Sequence, residues 1–205
     1  MEDNKGIRGA IFIMIGAILI VLCLILVLNN IIEDRMAKES AVQRLTLVEE
    51  AIEKRTGEAA EASDEDDLPE EDYEMPVVFL DGYGYIGSLS LPSLDLELPV
   101  MDEWDETRLK LAPCRHNGSL ETSDLVIAGH NYRSGFGRLK KINVGDEVLF
   151  TDMDGVVHSY TVEKIEILHE TAVSEMFESG WDLSLYTCTN DRVRRLTIRC
   201  NEIKP

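Results

Sequence analysis

Asp182-Leu183-Ser184-Leu185-Tyr186-Thr187-Cys188, followed after a polar turn by Arg195-Leu196-Thr197-Ile198-Arg199-Cys200, is the stretch that decides the fold. Each half places an apolar residue at every second position, the period of a strand with one face buried. Working outward, Tyr85 to Leu91 and Leu94 to Val100 repeat the alternation. Leu125-Val126-Ile127-Ala128 is wholly apolar, as a buried central strand should be. Glu147 to Thr151 and Val156 to Leu168 flank Asp152-Met153-Asp154-Gly155, a strong hairpin signal. Only two short helices are expected, Asp105 to Ala112 with Asp105 as N-cap, and Thr171 to Ser179. Seven or eight short strands with few helices predict a mainly β domain, a closed or nearly closed barrel.

This domain occupies residues 76–205 of a 205-residue chain, and what precedes it is of a different character. Gly9 to Ile32 is a run of 24 residues without a charge, long enough for a helix to cross the hydrocarbon layer. A cleavable signal peptide has a shorter apolar core and a small-x-small site, whereas this run ends in Asn29-Asn30-Ile31-Ile32-Glu33. The reading is an uncleaved anchor after a short cytoplasmic N-terminus, residues 1–8. Lys5 and Arg8 favour that orientation, although Arg35 and Lys38 weaken the asymmetry.

Residues 33–75 read as a spacer outside the membrane. Val42, Leu45, Val48 and Ile52 recur at helical spacing, a packing face or a weak self-association seam. From Glu58 to Glu74 there are ten acidic residues and no basic one, a composition that stays solvated and extended. A linker is the simplest reading; calcium or wall-polymer binding is the alternative. The whole chain carries 39 acidic and 20 basic residues, net −19. A nucleic-acid partner is therefore not expected, since phosphate neutralisation needs clustered Lys and Arg.

Within the barrel, two residues stand out by context. His130 follows the buried run 125–128 and Gly129, where a strand gives way to a loop holding Gly135 and Gly137. Cys188 closes its strand just before Thr189-Asn190-Asp191. A thiol with an imidazole is a competent nucleophile and acid/base pair. Arg192, Arg194 and Arg195 follow Cys188, and a guanidinium there can hold an oxyanion. Alternation separates Leu196, Ile198 and Cys200, on the core face, from Arg195 and Thr197, which favours Arg195 over Arg194.

These residues resemble a known family. Ser184-Leu185-Tyr186-Thr187-Cys188 is similar to the Thr-Leu-x-Thr-Cys signature of sortases, with Ser in place of the first Thr. Arg195-Leu196-Thr197-Ile198 resembles the family's arginine opening the last barrel strand, and Ala128-Gly129-His130-Asn131 its Gly-His element. Ile86-Gly87-Ser88-Leu89-Ser90-Leu91-Pro92 resembles the family's first strand, and Gly145-Asp146-Glu147-Val148 its Gly-Asp-x-Val turn. The elements occur in the family's order across about residues 84–200.

The resemblance implies a membrane-tethered cysteine transpeptidase. Cys188 would attack the Thr carbonyl of a Leu-Pro-x-Thr-Gly-like sorting signal and form a thioester. His130 would protonate the leaving amine, and Arg195 would hold substrate and oxyanion. Thr187, Asn131 and Tyr132 are the expected substrate contacts. The partners implied are secreted proteins carrying sorting signals and, as acceptor, an amine of a peptidoglycan precursor or a pilin lysine. No cofactor is required, and the sequence leaves calcium open. Water in place of the amine would make the enzyme a hydrolase, a difference sequence does not resolve. The six residues between Cys188 and Arg195, and a chain that stops at Pro205, point to a smaller wall-anchoring class, B-like or D-like.

Three smaller features complete the reading. Cys114-x-His116 offers too few ligands for zinc and reads as loop residues near the site. A Cys114–Cys200 disulfide is compatible with an extracellular domain. His158 and His169 lie in or beside strands without a nameable partner.

Overall fold

The computed structural model describes residues 3–62 and 75–204, so residues 63–74 of the acidic run lie outside it. One helix, α1, spans Asp3–Ala62. The chain divides into two compact units, residues 1–36 and 37–205. In the first, the apolar side chains from Ile11 to Ile32 are exposed, and the helix is long and apolar enough to cross a membrane.

The second unit holds nine strands among the described residues: β1 Val78–Leu80, β2 Tyr83–Leu91, β3 Leu96–Met101, β4 Cys114–Asn117, β5 Leu125–Gly129, β6 Glu147–Asp152, β7 Val157–His169, β8 Leu183–Cys188 and β9 Arg194–Glu202. They run in the order β1-β2-β3-β4-β5-β8-β9-β7-β6, and a β2–β6 pairing closes β2 to β9 into an eight-stranded barrel with β1 as an added edge. This is the closed, mainly β architecture that the alternation predicts. Strands β3 and β4 are parallel, as are β5 and β8, and the other pairings are antiparallel. Closure depends on Gly87, where the β2–β3 register shifts and the pairing of β2 with β6 begins. A Cβ there would lie 2.0 Å from the Thr151 carbonyl oxygen, and φ is +146°. Ile86, Leu89, Ile127, Phe150, Leu185 and Ile198 fill the interior.

Two elements differ from expectation. Asp105 does cap its segment, accepting from the amides of Thr107 at 2.6 Å and Arg108 at 2.8 Å, but only a 3-10 turn, Arg108–Lys110, follows. Strand β1 is too short, and β4 too short and too polar, to announce itself by alternation. The second helix is α2, Val173–Phe177.

The compact unit that holds the barrel begins at Ala37, since α1 from there onward packs on the barrel. Val48 is wholly buried with Tyr85, Met101 and Met153. Arg44 Nη1 donates to Tyr85 Oη at 2.7 Å, and its guanidinium lies 5.0 Å from the Tyr83 ring centre. Arg55 Nε donates to the Met153 carbonyl at 3.1 Å and pairs with Asp154. Burial of Val48 contributes about 2 kcal/mol, more than the exposed Arg55–Asp154 pair, which is worth at most about 1 kcal/mol. The packing stripe read in sequence holds at Val48 and Ile52 but not at Val42. Val42 is 55% exposed, and Ala41 lies against the core in its place. Small side chains allow the helix to approach closely, which hydrophobicity alone does not reveal.

Candidate active site

The parallel register of β5 and β8 pairs Gly129 with Thr187, so His130 and Cys188 leave adjacent strands one residue further on. The antiparallel register of β8 and β9 sets Cys188 opposite Arg195. Two strand pairings thus place His130, distant in sequence, at the same end of adjacent strands as Cys188 and Arg195. Gly129 is required by packing as well. A Cβ there would fall 2.4 Å from the Phe136 ring, so the aromatic ring can lie against the backbone just before His130. The His130 ring sits 5.1 Å from that of Tyr132.

The four arginines have distinct environments. Arg194 pairs with Asp191 at 2.7 Å, and Arg192 occupies a left-handed turn position, φ +61°. Arg195 Nη1 donates to the carbonyls of Arg192 at 3.1 Å and Arg194 at 3.3 Å, and Nη2 lies 3.7 Å from Glu170. Arg199 is buried, 1% exposed. It donates to Glu166 at 2.9 Å, Ser184 at 2.8 Å, Ser179 at 3.1 Å and the Met176 carbonyl at 3.2 Å, and also to the Glu175 carbonyl. One side chain therefore fastens α2 and its following turn to β7 and β8.

Asp191 organises the loop between Cys188 and Arg195. Its carboxylate accepts from the amides of Val193 at 3.1 Å and Arg194 at 3.2 Å, from Arg194 Nε at 2.7 Å, and from the Thr189 hydroxyl. The Thr189 and Arg194 contacts hold its carboxyl well below the usual carboxylate range. Because the folded value is depressed, this contribution is present above the ordinary carboxylate pKa and is lost only as pH falls through the depressed value. Replacing Asp191 with alanine is expected to lower turnover about 10- to 100-fold, since a shift of about 1 Å at a reacting group costs that much. Unfolding of the barrel should change little; steady-state kinetics with a thermal melt checks both.

The predicted substrate contacts divide. Asn131 Nδ2 donates to Asn190 Oδ1 at 3.3 Å, and Lys140 donates to the same oxygen at 3.0 Å, which ties the His130 loop to the β8–β9 loop. Tyr132 stays beside His130. Thr187 is 0% exposed with its hydroxyl buried, because alternation turns it inward while Tyr186 shares the face of Cys188. The expected substrate contact at Thr187 is therefore not made by an exposed side chain.

Tyr186 leads to a cluster that sequence reading missed. Its hydroxyl hydrogen-bonds His116 Nδ1. The His116 ring stacks on Trp104 at 4.7 Å and meets Phe177 edge-on at 4.9 Å. Burial lowers the His116 pKa and raises that of Tyr186, so the two form a neutral pair at neutral pH. An open cavity of about 440 Å³ lies against residues 102–104 and 115–118. Tyr186, on the face of Cys188, is thus linked through His116 to Trp104 at the edge of this cavity. In sequence Tyr186 stands two residues before Cys188 and His116 reads as a loop residue near the site; neither marks their hydrogen bond.

Cys114 and His116 serve different neighbourhoods. The Cys114 thiol faces the buried cluster under α1, where burial pushes it up to about 12. Cys200 sits in the barrel core, also pushed up to about 12 by burial, and both thiols are free rather than bridged. His158 does have partners, Asp152 at 3.3 Å and Glu202 at 3.7 Å. Among the described residues no three His, Cys, Asp or Glu side chains gather as a metal site.

A family model described as "Sortase domain" matches residues 89–203, more than half of the chain. No curated protein matches it. Among solved structures, the chain is similar to a sortase C1 from Streptococcus suis, at 25% identity over 59% of this chain and 74% of that one, TM-score 0.52. A Clostridium perfringens sortase D5 transpeptidase matches at 16% identity over 81% of this chain and 99% of that one, TM-score 0.59. A C. perfringens sortase C with a C-terminal cell wall sorting motif matches at 19% identity over 80% and 91%, TM-score 0.50.

Proposed function

Because the chain belongs to the sortase family, we propose that its transpeptidation runs through Cys188, His130 and Arg195 and acts on a Leu-Pro-x-Thr-Gly-like sorting signal. The observation that carries this reading is the double register: Gly129 opposite Thr187 and Cys188 opposite Arg195. The Cys188 thiolate attacks the Thr carbonyl, and the tetrahedral oxyanion is held by the Arg195 guanidinium. As the C–N bond breaks, imidazolium His130 gives its proton to the departing amine, leaving a thioester on Cys188. An incoming amine then attacks the thioester, His130 takes its proton, and the Cys188 thiolate departs. The donor segment lies along Tyr186 toward the Phe177–Trp104–His116 cluster, whose apolar faces suit the Leu-Pro part of the signal.

The acceptor is the amine of a peptidoglycan precursor, and the subclass is wall-anchoring, B-like or D-like, in keeping with the short loop from Cys188 to Arg195. Residues 9–32 hold the enzyme in the cell membrane as a single pass, with the barrel on the outer side. A membrane-proximal position matches a lipid-borne acceptor and newly secreted donors.

The test incubates the full chain in detergent with a Leu-Pro-x-Thr-Gly peptide and a panel of amines, including glycine oligomers and diamino acids. The expected result is an amide joining the Thr carboxyl group to one of these amines. Release of the free Thr acid with every amine would replace transfer by hydrolysis.

A further inference from the structure

His130 does not sit only among barrel residues. A small cavity of about 30 Å³ is lined by His130, Tyr132, Ser134 and Phe136 on one side, by Leu109–Pro113 on another, and by Ala37 and Ala41 of α1. That volume is enough for about one water molecule, so the wall leaves almost no slack. Ala41 also packs against the barrel core. The helix is held in this position by several contacts further along: Arg44 on Tyr85 and Tyr83, Val48 in the buried cluster, and Arg55 on Met153. A Cβ at Gly155 would lie 2.5 Å from Thr56, so the turn at this end is fitted closely to the helix.

We propose that Ala37 and Ala41 are positioning residues: the barrel-docked part of α1 forms a wall of the His130 pocket and sets the placement of that imidazole. The inference rests on His130 being the acid/base of the reaction. Alanine at both sites admits the His130 loop at its present distance. A larger side chain there must displace either the helix, which Val48 and Arg44 oppose, or residues 130–136. Displacement of residues 130–136 moves His130 with them. The segment that reads in sequence as a spacer is then part of the catalytic apparatus, and a barrel cut at residue 76 would lack it.

The test uses the full chain in detergent, with Ala41→Leu compared against Ala51→Leu. Ala51 packs on the same helix face but against the other buried cluster. Two quantities are read: kcat and KM for the sorting peptide, and the NMR signal of the His130 imidazole, assigned by its loss in His130→Gln. Ala41→Leu is expected to lower kcat about 100-fold with KM nearly unchanged, and to shift the His130 signal. Ala51→Leu should do neither, even where its melting temperature falls as much. Ala41→Ser should retain kcat. Should leucine at 41 prevent folding, Ala37→Leu at the rim of the same wall carries the same expectation. An unshifted His130 signal with normal kcat would overturn the proposal, as would equal losses at 41 and 51. A wild-type chain that turns over no peptide would count against the reaction proposed above, while the imidazole signal would still decide whether the helix positions His130.

Discussion

Replacing Cys188 with alanine is expected to abolish both cleavage and transfer of a sorting-signal peptide. Neither of the other two thiols in the barrel can take over: burial holds Cys114 and Cys200 up to about 12, in the protonated form. Loss of the nucleophile removes the covalent route itself, and losses of this kind reach about 10⁶-fold in a serine protease where they have been dissected. Arg195→Ala should be milder, about 10²- to 10³-fold in kcat, the range for removing one oxyanion donor. Arg194→Ala, whose guanidinium is engaged by Asp191, should cost less than Arg195→Ala. Peptide turnover followed by chromatography separates the three variants. Equal losses at 194 and 195 would remove the case for Arg195 as the oxyanion partner.

Arg199→Leu should give the largest loss of stability. The substitution leaves the carbonyls of Glu175 and Met176 and the Ser184 hydroxyl without their donor, in places from which water is largely excluded. Breaking a buried pair by removing one partner costs about 3–5 kcal/mol, a fall in Tm on the order of 10 °C for a domain of this size. The partner Glu166 adds a pH signature. Burial pushes its carboxyl up, but the contacts with Lys164 and Arg199 outweigh this and hold it below the ordinary value. A depressed carboxylate stabilises above its unfolded pKa, so wild-type stability should decline as pH falls below about 4, and Arg199→Leu should flatten that decline. Thermal melts across pH 3–7 measure both effects. Because Arg199 fastens the turn that carries Phe177, the variant should also raise KM for the peptide.

The strands that build the barrel interior were legible because burial on one face writes a two-residue period into them, as in 183–188 and 195–200. The pairing of those strands was not legible. Periodicity says which face is buried but not which neighbour a strand takes, so the parallel match of β5 with β8, on which the site depends, had to come from the structure. Four arginines between 192 and 199 illustrate the same limit. Alternation separated 195 from 194, yet nothing in the sequence marked Arg199 as the buried residue that fastens α2. The inward turn of Thr187 was legible, since the alternation available in sequence already places its side chain on the face opposite Cys188. Strand β4 escaped notice because Cys114, Arg115, His116 and Asn117 are mostly polar. The His116 cluster depends on tertiary packing by Trp104 and Phe177 from two other segments. The packing face of α1 was legible at Val48 and Ile52 but not at Ala41, because a small alanine marks close approach without a strong hydrophobic signal.

The most direct test of the thioester mechanism is the intact mass of the enzyme after brief mixing with a Leu-Pro-x-Thr-Gly peptide in the absence of added amine. The expected result is a mass increase equal to the peptide up to and including Thr, mapped to the peptide containing Cys188 and discharged by hydroxylamine. An unmodified enzyme that nevertheless releases product, or an adduct on any other residue, would contradict the central role assigned to Cys188.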